Sequence, residues 1–99
     1  MTDMCEEIAR MGKGMGNENR FRILQLVLRQ AQTVGQIAKK VKLAQPAVSQ
    51  HLKSLKSSNL VIDERRGQEV LYSANSQYML KLLKNLSDQI ETRKRKVKT

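Results

Sequence analysis

The stretch TVGQIAKKVKLAQPAVSQHLKSL, residues 33–55, gives the clearest indication of the fold of this chain. Thr33 followed by Gln36 is the signature of a capping box, which begins a helix. Residues 42–44 then have the length of the turn in a helix-turn-helix. Pro46 is tolerated in the first turn of the next helix, because its missing N–H has no intrahelical partner there. The stretch therefore predicts two short helices around a tight turn.

The second of these helices has an apolar side and a polar side. At about 100° per residue, the apolar side comprises Ala47, Val48, Leu52 and Leu55. The polar side comprises Pro46, Ser49, Gln50, Lys53 and Ser57, with Gln45 at its edge. Glutamine pairs with adenine, serine with several base-edge groups, and lysine with guanine or phosphate. The polar side is therefore predicted to enter the major groove of DNA, and the alternative is an ordinary solvated helix face.

A hairpin is predicted after this helix. Residues 61–62 begin an extended run, and residues 70–72 return as a second strand rich in β-forming side chains. Between them, the sequence DERRGQE makes a charged tip in which Gly67 can take a positive φ. Arginines at such a tip suit phosphate or a narrow minor groove. The alternative is a solubilising tip. The predicted DNA contacts outside the polar helix side are Thr33, His51, Arg65, Arg66 and Gln68.

Three stretches of the chain resemble the ArsR/SmtB family of winged helix-turn-helix repressors. They are NENRFRILQLVL at 17–28, IAKKVKLAQPAVSQHLKSLKSSNLV at 37–61 and ERRGQEVLYSA at 64–74. The block SQHL at 49–52, followed by the Arg-x-Gly…Tyr pattern, is the most specific part, and the likeness extends over about residues 8–90. The resemblance implies a mainly α fold with a small β-hairpin, in the order α-α-α-α-β-β-α. It also implies a homodimer that represses transcription and releases double-stranded DNA when an inducer arrives.

Two positions depart from the family pattern. Ala44 stands where family members often have serine as the cap of the recognition helix, and alanine there costs about 1 kcal/mol relative to serine. Asn59 stands where many members have glycine at the end of that helix. Asparagine is the next-best residue for a left-handed cap, so this second change is mild.

The rest of the chain fits one small domain, predicted at residues 1–92, with a basic tail at 93–99. A core of this size is marginal alone, so dimerisation would help it. Two terminal stripes of apolar residues recur at helical spacing. The resemblance implies that they build the dimer interface, and the alternative is that they cover the core of a single chain. The predicted interface residues are Met4, Ile8, Met11, Met79, Leu82, Leu83, Leu86 and Ile90.

A central helix is predicted at residues 18–30, after a break caused by the glycines at 12–16. Its apolar residues are predicted to form the middle of the core. They are Phe21, Ile23, Leu24, Val27 and Leu28.

The net charge of +10 indicates an anionic partner, and the terminal RKRKVK concentrates part of it. That run is expected to be a solvated end, and the alternative is that it adds phosphate contacts. The sequence has no apolar run of membrane-spanning length and no signal peptide, which favours a cytoplasmic protein. It also lacks a phosphate-binding glycine loop and a nucleophile with its base, so no enzyme is predicted.

The sequence leaves the inducer unknown. The family's soft-metal sensors use paired cysteines in the stretch that matches residues 33–38, and its zinc sensors use histidine on the last helix. Neither residue type is present in those places here, and Asp88 and Glu91 alone are poor ligands for such metals. No metal site and no cofactor are therefore predicted. Cys5 is interpreted as a small buried hydrophobe, with a redox-sensitive thiol that pairs across a dimer as the alternative.

Three functions remain compatible with the residues. The first is a dimeric repressor that binds a palindromic operator, one half-site for each chain. The second is non-specific nucleic-acid binding, for DNA packaging or RNA. The scarcity of aromatic residues weighs against it, because base stacking needs them. The third is a protein-interaction domain without DNA contact, against which the basic composition argues.

Overall fold

The computed structural model of the chain describes residues 4–97, and it describes side chains at 6–13 and 15–93. Four helices, a two-stranded antiparallel hairpin and a final helix follow one another, so the predicted winged helix-turn-helix order is confirmed. The elements are α1 (Met4–Met15), α2 (Glu18–Arg29), α3 (Val34–Val41), α4 (Gln45–Ser57), β1 (Val61–Arg66), β2 (Glu69–Ala74) and α5 (Ser76–Val97).

Local capping sets the bounds of α3. The Thr33 hydroxyl oxygen accepts the Gln36 N–H at 3.2 Å, and the Gln36 side-chain oxygen accepts the Thr33 N–H at 2.9 Å. The predicted capping box is thus confirmed. The helix ends at Lys42, whose left-handed backbone (φ 59°) turns the chain toward α4. Half-buried Leu43 packs against the core beside this turn.

The end of α4 is a Schellman motif. Asn59 takes a positive φ of 62°, as its sequence position predicted. The Leu60 N–H donates to the Leu55 carbonyl at 3.0 Å, and the Asn59 N–H donates to the Lys56 carbonyl at 3.0 Å. Leu55 and Leu60 are both buried, which supplies the apolar contact that usually accompanies this motif.

The start of α4 lacks a side-chain cap. Ala44 occupies the N-cap position with an extended backbone and makes no side-chain hydrogen bond. We expect Ala44→Ser to stabilise the protein by about 1 kcal/mol, because the hydroxyl would accept an unpaired N–H of the first turn. In a domain of this size the melting temperature should rise by about 4–8 °C. Ala44→Val is the control, since it adds bulk without an acceptor. Equal gains in both variants would show that capping is not the cause.

The core lies among α2, α3, α4 and the start of β1. Its buried residues are Ile23, Leu24, Val27, Ile37, Ala38, Val48, Leu52, Leu55, Leu60 and Val61. The prediction that Phe21 and Leu28 belong to it is wrong, since they are 41% and 47% exposed. Both lie roughly 100° around α2 from the centre of the buried stripe, so they face away from the packed elements. The predicted break before α2 is confirmed at residues 16–17.

The hairpin is longer than the sequence indicated. The strands pair from Val61 with Ala74 to Arg66 with Glu69, so only Gly67 and Gln68 form the loop. Gly67 has φ 63°, and a positive φ at the first loop position alone is typical of a type II′ turn. The predicted charged tip is therefore mostly paired strand, because β-pairing continues as far as the two-residue turn allows.

The apolar stripe of α5 is divided between two environments. Leu82 is only 1% exposed within a single chain, so its assignment to the dimer interface is wrong. Half-buried Met79 also packs against the core. Leu83 and Ile90, on the other edge of the stripe, are 49% and 58% exposed. The apolar stripe of α5 is wide, and only the edge that carries Leu82 is buried against the rest of the same chain.

The structure describes only some of the residues for which predictions were made at the two ends of the chain. On α1, Ile8 and Met11 are half-buried, and Met11 packs against the core. The side chains of Met4 and Cys5 lie outside the described residues. The helix α5 continues to Val97, past the predicted domain boundary at residue 92, so the basic tail is helical through that point.

Candidate DNA-binding surface

The polar side of α4 faces outward, and the apolar side is buried as predicted. Val48, Leu52 and Leu55 are at most 1% exposed, which holds the helix against α2 and α3. The predicted contact residues Gln45, Pro46, Ser49, Gln50 and Lys53 are all exposed. Among the described residues, the side chains of Ser49, Gln50 and Lys53 have no hydrogen-bond or ion-pair partner. These three side chains are therefore free to bind groups outside the chain.

Two other predicted contacts lie at the flanks of α4. Thr33 is half-buried, and its hydroxyl oxygen already accepts the Gln36 N–H. Its hydroxyl hydrogen remains available to donate to a phosphate oxygen. His51 is also half-buried, on the flank of α4 between the buried and the exposed sides. Both residues suit backbone contacts better than base contacts.

A shallow groove between α3 and the start of α4 contains residues that the sequence analysis missed. Gly35, Gln36 and Lys39 line it together with Gln45. The Gln45 amide nitrogen is only 3.6 Å from the position a side chain on Gly35 would take. Lys39 is exposed and adds a positive charge beside Gln45. Lys39 could have been predicted from the sequence, because it follows Gln36 by three residues and residues three apart share a helix face.

The two arginines of the hairpin lie on opposite faces. Side chains alternate along a strand, so Arg65 shares a face with Asp63, and Arg66 shares the other with Glu64. Asp63 accepts a hydrogen bond from the Lys56 ammonium of α4 at 2.9 Å, so this first face is the α4 side. Arg66 instead forms an ion pair with Glu64 at 3.5 Å. Arg65 therefore points to the side of the recognition helix.

The ion pair of Lys56 with Asp63 joins α4 to the hairpin. Its hydrogen bond, and then the carboxylate charge, raise the pKa of Lys56 above the ordinary value of 10.5. Lys56 thus stays protonated at neutral pH, and its charge is largely neutralised by Asp63. It is a weaker candidate for a phosphate contact than Lys53, which has no acidic partner among the described residues.

The hairpin is also fixed at its base by Gln32, which the sequence analysis did not identify. The Gln32 N–H donates to the Tyr72 carbonyl at 3.0 Å, and the Tyr72 N–H donates to the Gln32 carbonyl at 2.8 Å. The Gln32 amide donates to the Leu26 carbonyl at 3.1 Å. This residue is buried and directly precedes Thr33, the N-cap of α3. It therefore fixes the hairpin relative to the helix-turn-helix.

We expect Arg65→Ala to weaken DNA binding more than Arg66→Ala. Loss of one phosphate contact lowers the slope of log affinity against log salt concentration by about 0.9. That change is expected for Arg65→Ala, whereas Arg66→Ala removes a side chain that already pairs with Glu64. Titration of duplex DNA at several salt concentrations measures both slopes. A larger effect of Arg66 would contradict the assignment of strand faces.

Among residues 4–97, no group of three or more His, Cys, Asp or Glu side chains is placed to hold a metal ion. None of the helices in that range is both long and apolar enough to cross a membrane.

Comparison with known proteins also indicates a regulator that binds DNA. The family model for bacterial regulatory proteins of the arsR family matches residues 17–63. The nodulation protein NolR of Rhizobium meliloti is 43% identical over 74 residues, which are 75% of this chain and 61% of NolR. The transcriptional activator HlyU of Vibrio cholerae is 36% identical over 77 residues, which are 75% of this chain and 71% of HlyU.

A solved structure extends the likeness to three dimensions. It is the homodimeric winged helix-turn-helix DNA-binding domain of Mb0332 from Mycobacterium bovis. That domain is 26% identical with a TM-score of 0.70, and the match covers 90% of this chain and 89% of that one. The chain therefore belongs to the arsR family of bacterial regulatory proteins and carries the winged helix-turn-helix of a DNA-binding transcription regulator.

Proposed function

We propose that this regulator is a homodimeric repressor that binds a palindromic operator in the cytoplasm. The observation that carries the proposal is the polar face of α4, where Ser49, Gln50 and Lys53 are exposed and without partners among the described residues. Each α4 would enter one major groove and read base edges with Ser49 and Gln50. Lys53, Arg65 and the Thr33 hydroxyl would contact phosphates and fix the register.

The exposed edge of α5 supports the dimer. Leu83 and Ile90 are 49% and 58% exposed in a single chain, with half-buried Leu86 between them. Full burial of an exposed side chain of this type is worth about 1.5–3 kcal/mol, so covering these half-exposed side chains is worth about half of that each. The solved domain of Mb0332 is homodimeric, and its match covers most of this chain. Two copies of this chain would then present their recognition helices to half-sites one helical turn apart, or a multiple of it.

Activation of transcription is a second candidate, because the relative HlyU is named a transcriptional activator. The DNA contacts would be the same in both cases. The sign of regulation depends on where the operator lies relative to the promoter, so a transcription assay with the selected operator distinguishes them. Lower transcript levels on addition of the protein support repression, and higher levels support activation.

Selection of bound DNA from a random duplex library at physiological salt tests the proposal. We expect enrichment of an inverted repeat with the wild-type protein. The double variant Ser49→Ala and Gln50→Ala is the control for readout, and it should lose the enrichment while it still binds DNA in a salt-dependent way. Strong binding without enrichment by the wild type would contradict the proposal and favour non-specific DNA or RNA binding.

A further inference from the structure

A cleft lies among α1, α2 and the last turn of α4. Its volume is ≈ 350 Å³, and its lining is Arg10, Lys13, Arg20, Ser54, Ser57 and Ser58. Three cationic side chains and three hydroxyl groups thus meet there. No carboxylate is among the residues that line it. The cleft has the composition of an anion site and not of an ion-pair network.

Arg20 is the most unusual of these residues. It lies three and four positions before Ile23 and Leu24, on the side of α2 that the core covers. Its Nε is buried and has no hydrogen-bond partner in the described structure. A buried donor without a partner is destabilising, because it has lost its hydrogen bonds to water. A guanidinium in this position is therefore suited to a ligand with acceptor oxygens, which its planar fork can bind through two parallel bonds.

The serines supply further donors. Ser54 and Ser58 are four residues apart, so they lie on the same side at the end of α4. Ser58 is 8% exposed, and neither hydroxyl has a hydrogen-bond partner among the described residues. The Ser57 hydroxyl differs, because it donates to the Ser54 carbonyl at 2.9 Å. Ser54 and Ser58 are thus available to donate to an anion, and Ser57 closes the last turn.

We propose that this cleft binds a small oxyanion, either free phosphate or the phosphate group of a small metabolite. Arg20 would bind two oxygens, Arg10 and Lys13 would supply charge, and Ser54 and Ser58 would donate to the remaining acceptors. The volume is near the lower end of about 300–1,000 Å³ for ligand sites, which favours a small anion. The anion would join α1 to the end of the recognition helix. This inference does not depend on the operator proposed above.

The alternative is a purely structural role for the three cations. Positive side chains near a helix C-terminus stabilise its carbonyl groups, and the cleft includes the end of α4. That role requires no ligand and predicts no saturable response to phosphate. The two readings therefore differ in a direct binding measurement.

Titration of the full chain with inorganic phosphate, followed by ¹H–¹⁵N NMR at constant ionic strength with chloride, tests the proposal. We expect saturable shifts of the Arg20 Nε–H and of the Ser54 and Ser58 amides. Arg20→Lys keeps the charge but loses the fork, so its affinity should fall by about tenfold. Linear shifts without saturation, or shifts spread evenly over the surface, would overturn the assignment.

Two double variants test whether the positive charge of the protein alone explains phosphate binding. Arg10→Gln with Lys13→Gln removes two charges from the cleft, and Lys81→Gln with Lys84→Gln removes two exposed charges from α5. We expect the first pair to weaken phosphate binding by about tenfold or more, and the second to leave it within about twofold. Equal losses in both pairs would mean non-specific attraction to a basic protein and would overturn the site.

The source of the phosphate group is distinguished by two further arms. Glucose 6-phosphate that binds more tightly than inorganic phosphate assigns the cleft to a metabolite, and the reverse order assigns it to free phosphate. Affinity for random duplex DNA is then compared between the two double variants in phosphate-free buffer. A much larger loss in the cleft variant would make the cleft a DNA backbone contact and overturn the small-anion proposal.

Discussion

Leu52→Ala is expected to lower the free energy of unfolding by about 2–5 kcal/mol, because it removes a buried side chain and leaves a cavity. Leu52 is 1% exposed and belongs to the core cluster that α2, α3 and α4 share. A domain of this size has only about 5–15 kcal/mol in total. The variant should therefore unfold at a much lower denaturant concentration and lose DNA binding near its melting temperature.

The matched control is Leu28→Ala, the same truncation at a side chain that is 47% exposed. Its loss should be smaller, since much of this side chain is in contact with water before the change. Urea unfolding followed by circular dichroism measures both variants. The protein concentration is held constant, because the proposed dimerisation would make apparent stability depend on it. Equal losses in the free energy of unfolding would mean that Leu28 belongs to the core, as predicted from the sequence.

Gln50→Ala is expected to weaken binding to the selected operator by about 1–3 kcal/mol, or roughly 5- to 150-fold. The loss for random DNA should be small. The reason is that an amide contributes to discrimination between bases through two hydrogen bonds, whereas non-specific affinity comes from neutralised phosphates. Gln50 is exposed and without a partner among the described residues, so its removal should not disturb the fold.

Fluorescence anisotropy with operator and scrambled duplexes at the same salt concentration measures this difference. Gln77→Ala is the control, because Gln77 is an exposed glutamine in the first turn of α5 and not on the recognition helix. It should leave both affinities unchanged. If Gln50→Ala lowered both affinities by the same factor, Gln50 would contribute to general attachment and not to sequence readout.

The residue types alone were enough to predict the local geometry of the helix-turn-helix. The capping box of Thr33 and Gln36, the uncapped Ala44, the left-handed Asn59 and the glycine of the hairpin loop were all predicted and are all present. Each of these features depends on contacts within a few residues of chain, so the residue types of that short stretch are sufficient to fix the local conformation. The polar side of α4 was predictable for the same reason, since helical periodicity alone separates it from the buried side.

Only the packing of whole elements shows which residues of a longer apolar stripe or of a strand face other parts of the chain. Periodicity gave an apolar stripe on α5, but only packing buries Leu82 and leaves Leu83 exposed. The pairing of Asp63 with Lys56 likewise decides which arginine of the hairpin faces α4. The cleft around Arg20 brings the consecutive helices α1 and α2 together with the end of α4, which lies much further along the chain. Such contacts depend on how whole elements dock, and that docking minimises exposed apolar area over the entire chain instead of over any local stretch.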